Sequence, residues 1–205
     1  MGRPTDISRD QILDTARTLF LEHGIAGTEM KEIAALVGIS RSSLYRYFGS
    51  KEDIAFCVAA QLLTALQLPE CAGDPQLDGK NQLRQLLDRI VALLIAHRRE
   101  VRLLDEFDQL FTDPYPESAA ARDYVQFNRN FFFAPVEKAL FRGLSDGSLR
   151  SEQPVRLLSR MLTNTLLAAA QRTLPRAAHL REEQGYAEEY LIGLPALLVE
   201  GLSAK

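Results

Sequence analysis

The stretch TEMKEIAALVGISRSSLYRYFGSK, residues 28–51, decides the fold of the chain. Its apolar residues recur three and four positions apart, which predicts two short helices separated at Gly38-Ile39. Gly38 favours the left-handed backbone conformation that ends a helix, and Ser40 is typical of the residue that caps the start of the next one. Two short helices joined by so tight a turn predict a helix-turn-helix.

A longer helix precedes this stretch and another follows it. Ser8 and Gln11 have the spacing of a capping box at the start of the first helix, and Gly24 can end that helix. We expect Thr28 to cap the second helix and Ser50 to cap the fourth. The face of the first helix that packs against the helix-turn-helix is predicted to hold Ile12, Leu13, Ala16, Leu19 and Phe20.

The third helix has one apolar face and one polar face. A rotation of about 100° per residue places Leu44 and Phe48 together, so we expect them in the core, with Arg46 pointing away. The first turn of a recognition helix enters the major groove, and here it holds Arg41, Ser42 and Ser43. An arginine can donate two hydrogen bonds to a guanine edge, and serine hydroxyls adapt to bases or phosphates.

The pattern Ile33-Ala34, Gly38-Ile39-Ser40, Leu44-Tyr45, Tyr47-Phe48 and Lys51-Glu52 resembles the signature of the TetR family of repressors, over about residues 8–60. The resemblance implies base contacts by Arg41, Ser42 and Ser43, and phosphate contacts by Thr28, Tyr45, Tyr47 and Lys51. We expect Lys31, like Thr28, to touch phosphate where the start of the second helix crosses the DNA backbone, and Arg46 to face the DNA because it lies on the outward side of the third helix. The alternative is a module that only packs, with Tyr45 half-buried inside it.

Apolar spacings of three and four continue almost to the C-terminus without sustained strand alternation, which predicts an all-α fold of about nine helices. Gly and Pro cluster at predicted breaks: residues 68–79, 112–117, 145–154 and 175–179. The resemblance implies that residues 1–51 form the DNA-binding domain and that helix 51–66 connects it to the remainder. Residues 67–205 are then expected to be a helical effector-binding and dimerisation domain.

Nine of the 16 Phe and Tyr residues lie between positions 107 and 141. Such a cluster can line an apolar pocket for a small apolar or aromatic effector, although close-packed core is the alternative for each residue. We expect a bound effector to shift the fourth helix as a lever between this pocket and the DNA-binding domain. The residues predicted to line the pocket are His97, Phe107, Phe111, Tyr124, Phe127, Asn128, Phe131 and Asn164.

Residues 161–171 carry no charge, and a helix that is apolar on every side must be covered on every side. The last helix adds Tyr190, Leu191, Leu194, Leu197 and Leu198. We therefore expect these last two helices to pair across a two-fold axis, so that a homodimer binds palindromic double-stranded DNA. Packing of both helices within one chain is the alternative.

Other function classes find little support. A net charge of −3 argues against a protein that coats nucleic acid non-specifically. The sequence lacks a glycine-rich phosphate loop, a nucleophile elbow and a His-Glu-x-x-His motif, and its three histidines lie in separate segments. We therefore expect neither an enzyme, nor a cofactor, nor a metal site. The competing reading is a helix-turn-helix protein that acts architecturally, or through a protein partner, without a small effector.

The expected compartment is the cytoplasm, with no membrane contact. The N-terminus has no secretory pattern, and no run of about 18 uncharged apolar residues is present. In a reducing cytosol Cys57 and Cys71 are expected to be free thiols.

Overall fold

The computed structural model describes residues 7–66, 68, 74, 76–130 and 134–204. These ranges contain eleven helices and no β-strand, which confirms the all-α prediction. The helices are α1 (Arg9–Gly27), α2 (Met30–Val37), α3 (Arg41–Tyr47), α4 (Lys51–Ala65), α5 (Gly79–Ala96), α6 (Arg98–Leu110), α7 (Ala119–Asn130), α8 (Ala134–Ser145), α9 (Val155–Thr173), α10 (Ala177–Gln184) and α11 (Glu188–Gly201).

The predicted number of about nine helices is too low because two breaks were missed. His97 takes a non-helical conformation between α5 and α6. Gly185 has a φ of 77° between α10 and α11, a left-handed conformation that costs glycine little. Within the described ranges, no helix combines the length and the apolar character needed to cross a membrane.

Most of the predicted helix caps are confirmed. The Ser8 hydroxyl accepts a hydrogen bond from the Gln11 amide, and the Gln11 side chain accepts one from the Ser8 amide. Ser40 caps α3 through the Ser43 amide at 3.0 Å, and Ser50 caps α4 through the Asp53 amide at 3.1 Å. These short-range bonds involve residues three positions apart, which is why the sequence was sufficient to predict them.

The predicted cap of α2 is wrong. The structure places Glu29 rather than Thr28 at the N-cap, and the Glu32 carboxylate accepts a hydrogen bond from the Glu29 amide at 2.8 Å. Thr28 is instead fully buried, and its hydroxyl donates to the carbonyl of Gly24 at 2.7 Å. Thr28 therefore stabilises the end of α1, and Glu29 is the N-cap residue of α2.

Contacts divide the chain into two compact units. The first comprises Met1–Ala65 and Leu103–Arg129, so the end of α6 and nearly all of α7 are grouped with the helix-turn-helix. In this unit α1 packs against both α2 and α4, and α2 packs against α3. The predicted face of α1 is buried, as are Ile33, Leu44 and Phe48. The functional boundaries predicted at residues 51 and 66 stay a prediction.

The second unit comprises Leu66–Arg102 and Asn130–Lys205. Its central element is α5, which packs against α8, α9 and α11. Gly79 at the start of α5 lies so close to Gly143 of α8 that a Cβ atom on Gly79 would overlap the Gly143 backbone. Main-chain hydrogen bonds from Arg150 to Leu202 and from Ala204 to Ser148 fasten the end of the chain.

Candidate nucleic-acid interface

The third helix separates its apolar side chains from its polar ones. Leu44 and Phe48 are 0% and 2% exposed, so they form the side of the helix that packs on the core. Four polar residues on the other side are exposed, and we call them the recognition face: Arg41, Ser42, Tyr45 and Arg46. Because the apolar side holds α3 in place, the recognition face is left available to a partner.

Hydroxyl groups organise the start of this helix. The Ser40 hydroxyl, which caps α3, lies 2.9 Å from the hydroxyls of both Ser42 and Ser43. Arg46 donates from Nη2 to the Ser43 hydroxyl at 3.1 Å. Ser43, predicted to contact bases, is half-buried between these groups. The first turn of α3 therefore presents hydroxyls whose positions are already fixed by one another.

Arg41 interacts with Tyr45 one turn further along α3. Its Nη2 donates to the Tyr45 hydroxyl at 3.3 Å, and the guanidinium carbon lies 5.5 Å from the ring centroid. The hydrogen bond to Tyr45 also raises the pKa of Arg41. Tyr45 is 41% exposed, so the alternative in which it is a half-buried core residue does not hold.

Lys31 and Thr28, both predicted to contact phosphate from the start of α2, differ in exposure. Lys31 is exposed and forms an ion pair of 2.9 Å with Glu29, which lowers the pKa of that carboxyl group. Thr28 is fully buried and its hydroxyl is bonded to the Gly24 carbonyl. The Thr28 hydroxyl is thus engaged within the protein, and its predicted phosphate contact stays a prediction.

The Lys51 ammonium is occupied by main-chain carbonyls. Its Nζ donates to the carbonyls of Ile25 at 2.7 Å, Thr28 at 3.0 Å and Ala26 at 3.3 Å. An ammonium group has three protons, so these three partners saturate it. Lys51 therefore holds the end of α1 to the start of α4, and its predicted phosphate contact stays a prediction.

Hydrogen bonds of Tyr47 and Arg9 connect the end of α3 to the start of α1. The Tyr47 hydroxyl donates to the Ile7 carbonyl at 3.0 Å, while the Tyr47 side chain is half-buried. Arg9 donates to the Tyr47 carbonyl at 2.7 Å, and its guanidinium carbon lies 4.1 Å from the centroid of the Phe48 ring. Sequence reasoning missed Arg9, since only the fold brings the start of α1 to the end of α3.

Glu106 of α6 was also missed. Its carboxylate accepts a hydrogen bond from the Ala26 amide at 2.9 Å and fills the space beside Gly24, where a Cβ atom would lie only 2.8 Å from it. Gly24 has a φ of 78°, so a side chain there would strain the backbone and would also displace the Glu106 carboxylate. Eighty residues separate Glu106 from Ala26, so no local pattern could have indicated the contact.

The predicted pocket aromatics pack against each other. Phe107, Phe111 and Tyr124 surround Phe56 of α4 with ring centroids 5.1, 4.7 and 5.6 Å from it, and Tyr115 adds a fourth ring at 5.1 Å. Burial raises the pKa of Tyr124. The sequence did not single out Phe56, because it lies outside the aromatic-rich segment. These rings form one aromatic cluster centred on α4.

The other predicted pocket residues are dispersed. Asn128 interacts with the Tyr124 side chain and so opposes the rise in the pKa of Tyr124, and Phe127 is half-buried in the same helix. His97 is half-buried in the second unit, with its Nδ1 3.6 Å from the Glu100 carboxylate. Asn164 is exposed on α9. Phe131 lies outside the described residues, as does Cys71.

In the second unit, apolar side chains are exposed on α9 and on α11, two helices that pack against each other. Met161 is 50% exposed and Leu197 is 73% exposed. Large apolar groups on the outside of two neighbouring helices are typical of an interaction surface. The exposed large apolar residues of these helices are Leu157, Met161, Tyr190, Ile192 and Leu197.

The first unit contains a trihelical arrangement whose α3 has a buried apolar side and an exposed polar side. These features define the class of helix-turn-helix DNA-binding proteins. Residues 12–56 match the family model described as bacterial regulatory proteins, tetR family. The resemblance to the TetR family is therefore confirmed, and the chain has the TetR-family fold.

Relatives and solved structures agree with this assignment. An HTH-type transcriptional regulator from Mycobacterium tuberculosis is 48% identical over 53 residues, so the match spans about a quarter (26%) of both chains. The HTH-type transcriptional repressor KstR2 from Mycolicibacterium smegmatis is 26% identical over 196 residues, covering 89% of this chain and 86% of the repressor. FadR from Bacillus subtilis, solved in complex with stearoyl-CoA, shares the fold with a TM-score of 0.63 and 20% identity, covering 95% of this chain and all of the other.

Proposed function

We propose that the protein is a sequence-specific DNA-binding transcriptional regulator, a repressor that binds a palindromic operator as a homodimer and is released by a small effector. The observation that carries this proposal is the orientation of α3, whose apolar residues Leu44 and Phe48 are buried while its recognition face is exposed. A DNA-binding repressor works where the chromosome is, so the compartment proposed is the cytoplasm.

The recognition face supplies the groups that read and hold duplex DNA. Arg41 and Ser42 are exposed in the first turn, where side chains reach base edges in the major groove, and Ser43 lies beside them. Arg46 and Lys31 carry exposed positive charges suited to phosphate, and the Tyr45 hydroxyl is exposed as well. The Tyr47 side chain is half-buried, and its contact with phosphate remains part of the proposal.

A dimer is supported by the exposed apolar surface of α9 and α11. One recognition helix covers too few base pairs to be selective, whereas two helices related by a two-fold axis read a palindrome. The exposed side chains of Met161 and Leu197 lie on helices of the same unit, and a second copy of the chain would cover them. Both helices also pack on α5, so they contribute to the core of one chain and to the proposed interface.

A small apolar or aromatic effector is supported by analogy and by composition. The FadR structure is described as a complex with stearoyl-CoA, a ligand with a long apolar chain. In this protein the aromatic cluster links Phe56 of α4 to Phe107 of α6 and Tyr124 of α7. A ligand that inserted there with different affinity for two positions of α4 would shift the equilibrium between them.

A regulator without any small effector is the second candidate, and the close packing of the aromatic cluster favours it. Rings whose centroids lie 4.7–5.6 Å apart are in direct contact and stabilise one another without a ligand. A thermal-shift screen separates the two candidates, because any ligand that prefers the folded state raises the melting temperature. Stabilisation by an apolar compound supports the effector, and a lack of stabilisation by every class of compound supports a protein partner.

The central experiment is selection of the preferred DNA from a random duplex pool by the full-length protein, with its oligomeric state measured by analytical ultracentrifugation. We expect a palindromic sequence and a dimer. The matched control carries Leu197→Lys, which puts a charge on the exposed apolar surface without touching the recognition face. A monomeric control that still selects the full palindrome would contradict the proposed dimer, and a pool without enrichment would contradict sequence-specific binding.

A further inference from the structure

The two arginines of the recognition face are each held by a hydroxyl of their own helix. Arg46 is held by Ser43, three residues before it, and Arg41 by Tyr45, four residues after it. The Arg41 contact combines a hydrogen bond with an aromatic ring 5.5 Å from the guanidinium carbon, so it restricts both the position and the tilt of the guanidinium plane. Arg46 receives no comparable ring contact.

The arrangement leaves Arg41 able to read a base. A guanidinium has five N–H donors in a rigid fork, and the Tyr45 hydroxyl uses one of them, which leaves enough for a bidentate pair with guanine O6 and N7. A long side chain that is already oriented loses less entropy when it binds. The Tyr45 hydroxyl accepts from Arg41, so its own proton remains available for another acceptor.

We propose that Tyr45 is a positioning residue that orients Arg41, and that the pair together selects guanine at one position of each operator half-site. This inference rests on the proposed function and replaces the predicted role of Tyr45 as a phosphate contact only. The two roles differ in their consequences. A phosphate contact holds every DNA sequence equally, whereas a residue that orients a base-reading arginine affects one position of the sequence.

The test uses the operator selected by the wild-type protein and a set of duplexes substituted at each half-site position in turn. Tyr45→Phe removes the hydroxyl and keeps the ring, and Tyr45→Leu removes both. We expect Tyr45→Phe to relax the preference for guanine about threefold at one position, and Tyr45→Leu to relax it further. Arg41→Ala should relax the same position by about tenfold or more.

Two comparisons make the result specific. In the Arg41→Ala background, the Tyr45 variants should cause no further loss at that position, since nothing remains to be oriented. Tyr47→Phe is the matched control, because its hydroxyl bonds to the Ile7 carbonyl and does not contact Arg41. It should leave the preference at that position unchanged. Thermal unfolding of the Tyr45 variants should match the wild type, because this ring lies on the surface.

The possible failures are distinguishable. If Tyr45→Phe weakened binding to all duplexes equally, in both the wild-type and the Arg41→Ala backgrounds, Tyr45 would be a phosphate contact and this inference would be overturned alone. If the wild-type protein preferred no sequence over another, the proposed function and this inference would both fall.

Discussion

The recognition face and the α1–α2 turn, which comprises residues 24–28 at the kinked end of α1, both have charged and hydroxyl-bearing side chains around them, but the hydrogen bonds of those side chains go to different places. On the recognition face, Arg41 and Arg46 bond only to hydroxyls of α3 and remain exposed. At the α1–α2 turn, residues 24–28, Lys51 and Glu106 bond to main-chain atoms from two sides. The first arrangement leaves hydrogen-bond donors available to a partner. The second uses the polar side chains to hold the main chain of residues 24–28 in place.

The type of a polar residue therefore does not show whether its side chain is available to a partner or bonds to the main chain of the protein. Main-chain carbonyls and amides at a helix end must find partners, so a side chain within reach is recruited to them. Lys51 and Thr28 lie where such groups are unpaired, whereas the residues of the recognition face lie over a helix whose main-chain groups already bond within it. Four substitutions test this comparison through the free energy of unfolding, each at one fixed protein concentration because a dimer unfolds in a concentration-dependent way.

Gly24→Ala should have the largest effect. The new methyl group would require an alanine at φ 78° and would displace the Glu106 carboxylate, so we expect a loss of about 3 kcal/mol in urea unfolding. Gly27→Ala is the matched control in the same turn, because its φ is not positive and its nearest contact is His23 at 3.8 Å. Equal losses for both variants would mean that Glu106 does not constrain the turn.

Lys51→Met should lower the free energy of unfolding by about 2 kcal/mol, since three carbonyls lose a charged donor. The slope of log affinity for DNA against log salt should stay the same. Lys31→Met is the control on the exposed side, and it should leave stability unchanged and reduce the slope by about one if Lys31 contacts phosphate. A reduced slope for Lys51→Met would instead identify Lys51 as a phosphate contact.

Thr28→Val should cost about 1 kcal/mol, because the shape is kept while the buried hydrogen bond to Gly24 is lost. The exposed Thr18 hydroxyl makes a similar bond to the Asp14 carbonyl. Thr18→Val is therefore the control, because it removes the same type of hydrogen bond where water can replace it. Differential scanning calorimetry of the two variants measures the difference. If the two melting temperatures fell together by the same amount, burial would not explain the role of Thr28.

Arg46→Ala should have the smallest effect on stability, within about 0.5 kcal/mol of the wild type, because the side chain is exposed and bonds only to Ser43. Its effect should appear in DNA binding, as a weaker affinity for all sequences and a smaller salt slope. Fluorescence anisotropy at several salt concentrations checks both quantities. A large loss of stability would place Arg46 with the structural group at the α1–α2 turn.

Local patterns predicted the helix-turn-helix well. The caps at Ser8, Ser40 and Ser50 and the turn at Gly38 depend on residues within four positions of one another, and all are confirmed. The misassigned cap at Thr28 shows the limit of such patterns. The structure moves the cap by one residue, to Glu29, because the Thr28 side chain is buried and bonded to the Gly24 carbonyl.

The aromatic residues illustrate a different limit. Their concentration between residues 107 and 141 was visible in the sequence, but Phe56, the ring on which they converge, is about fifty residues earlier in the chain. Composition indicates that rings are present and cannot indicate whether they surround a ligand or each other. In the structure Phe107, Phe111 and Tyr124 each contact Phe56, and a ligand site among these rings stays a proposal.

The sequence alone determined the helical fold, the register of α3 and the exposure of its polar side, because helix periodicity and capping are set by neighbours a few residues apart. The tertiary structure decided which polar groups are used internally. Glu106 reaches the Ala26 amide across eighty residues, and Lys51 reaches three carbonyls more than twenty positions before it. Such bonds follow from packing, which brings distant groups to unpaired main-chain atoms, and no local pattern encodes them.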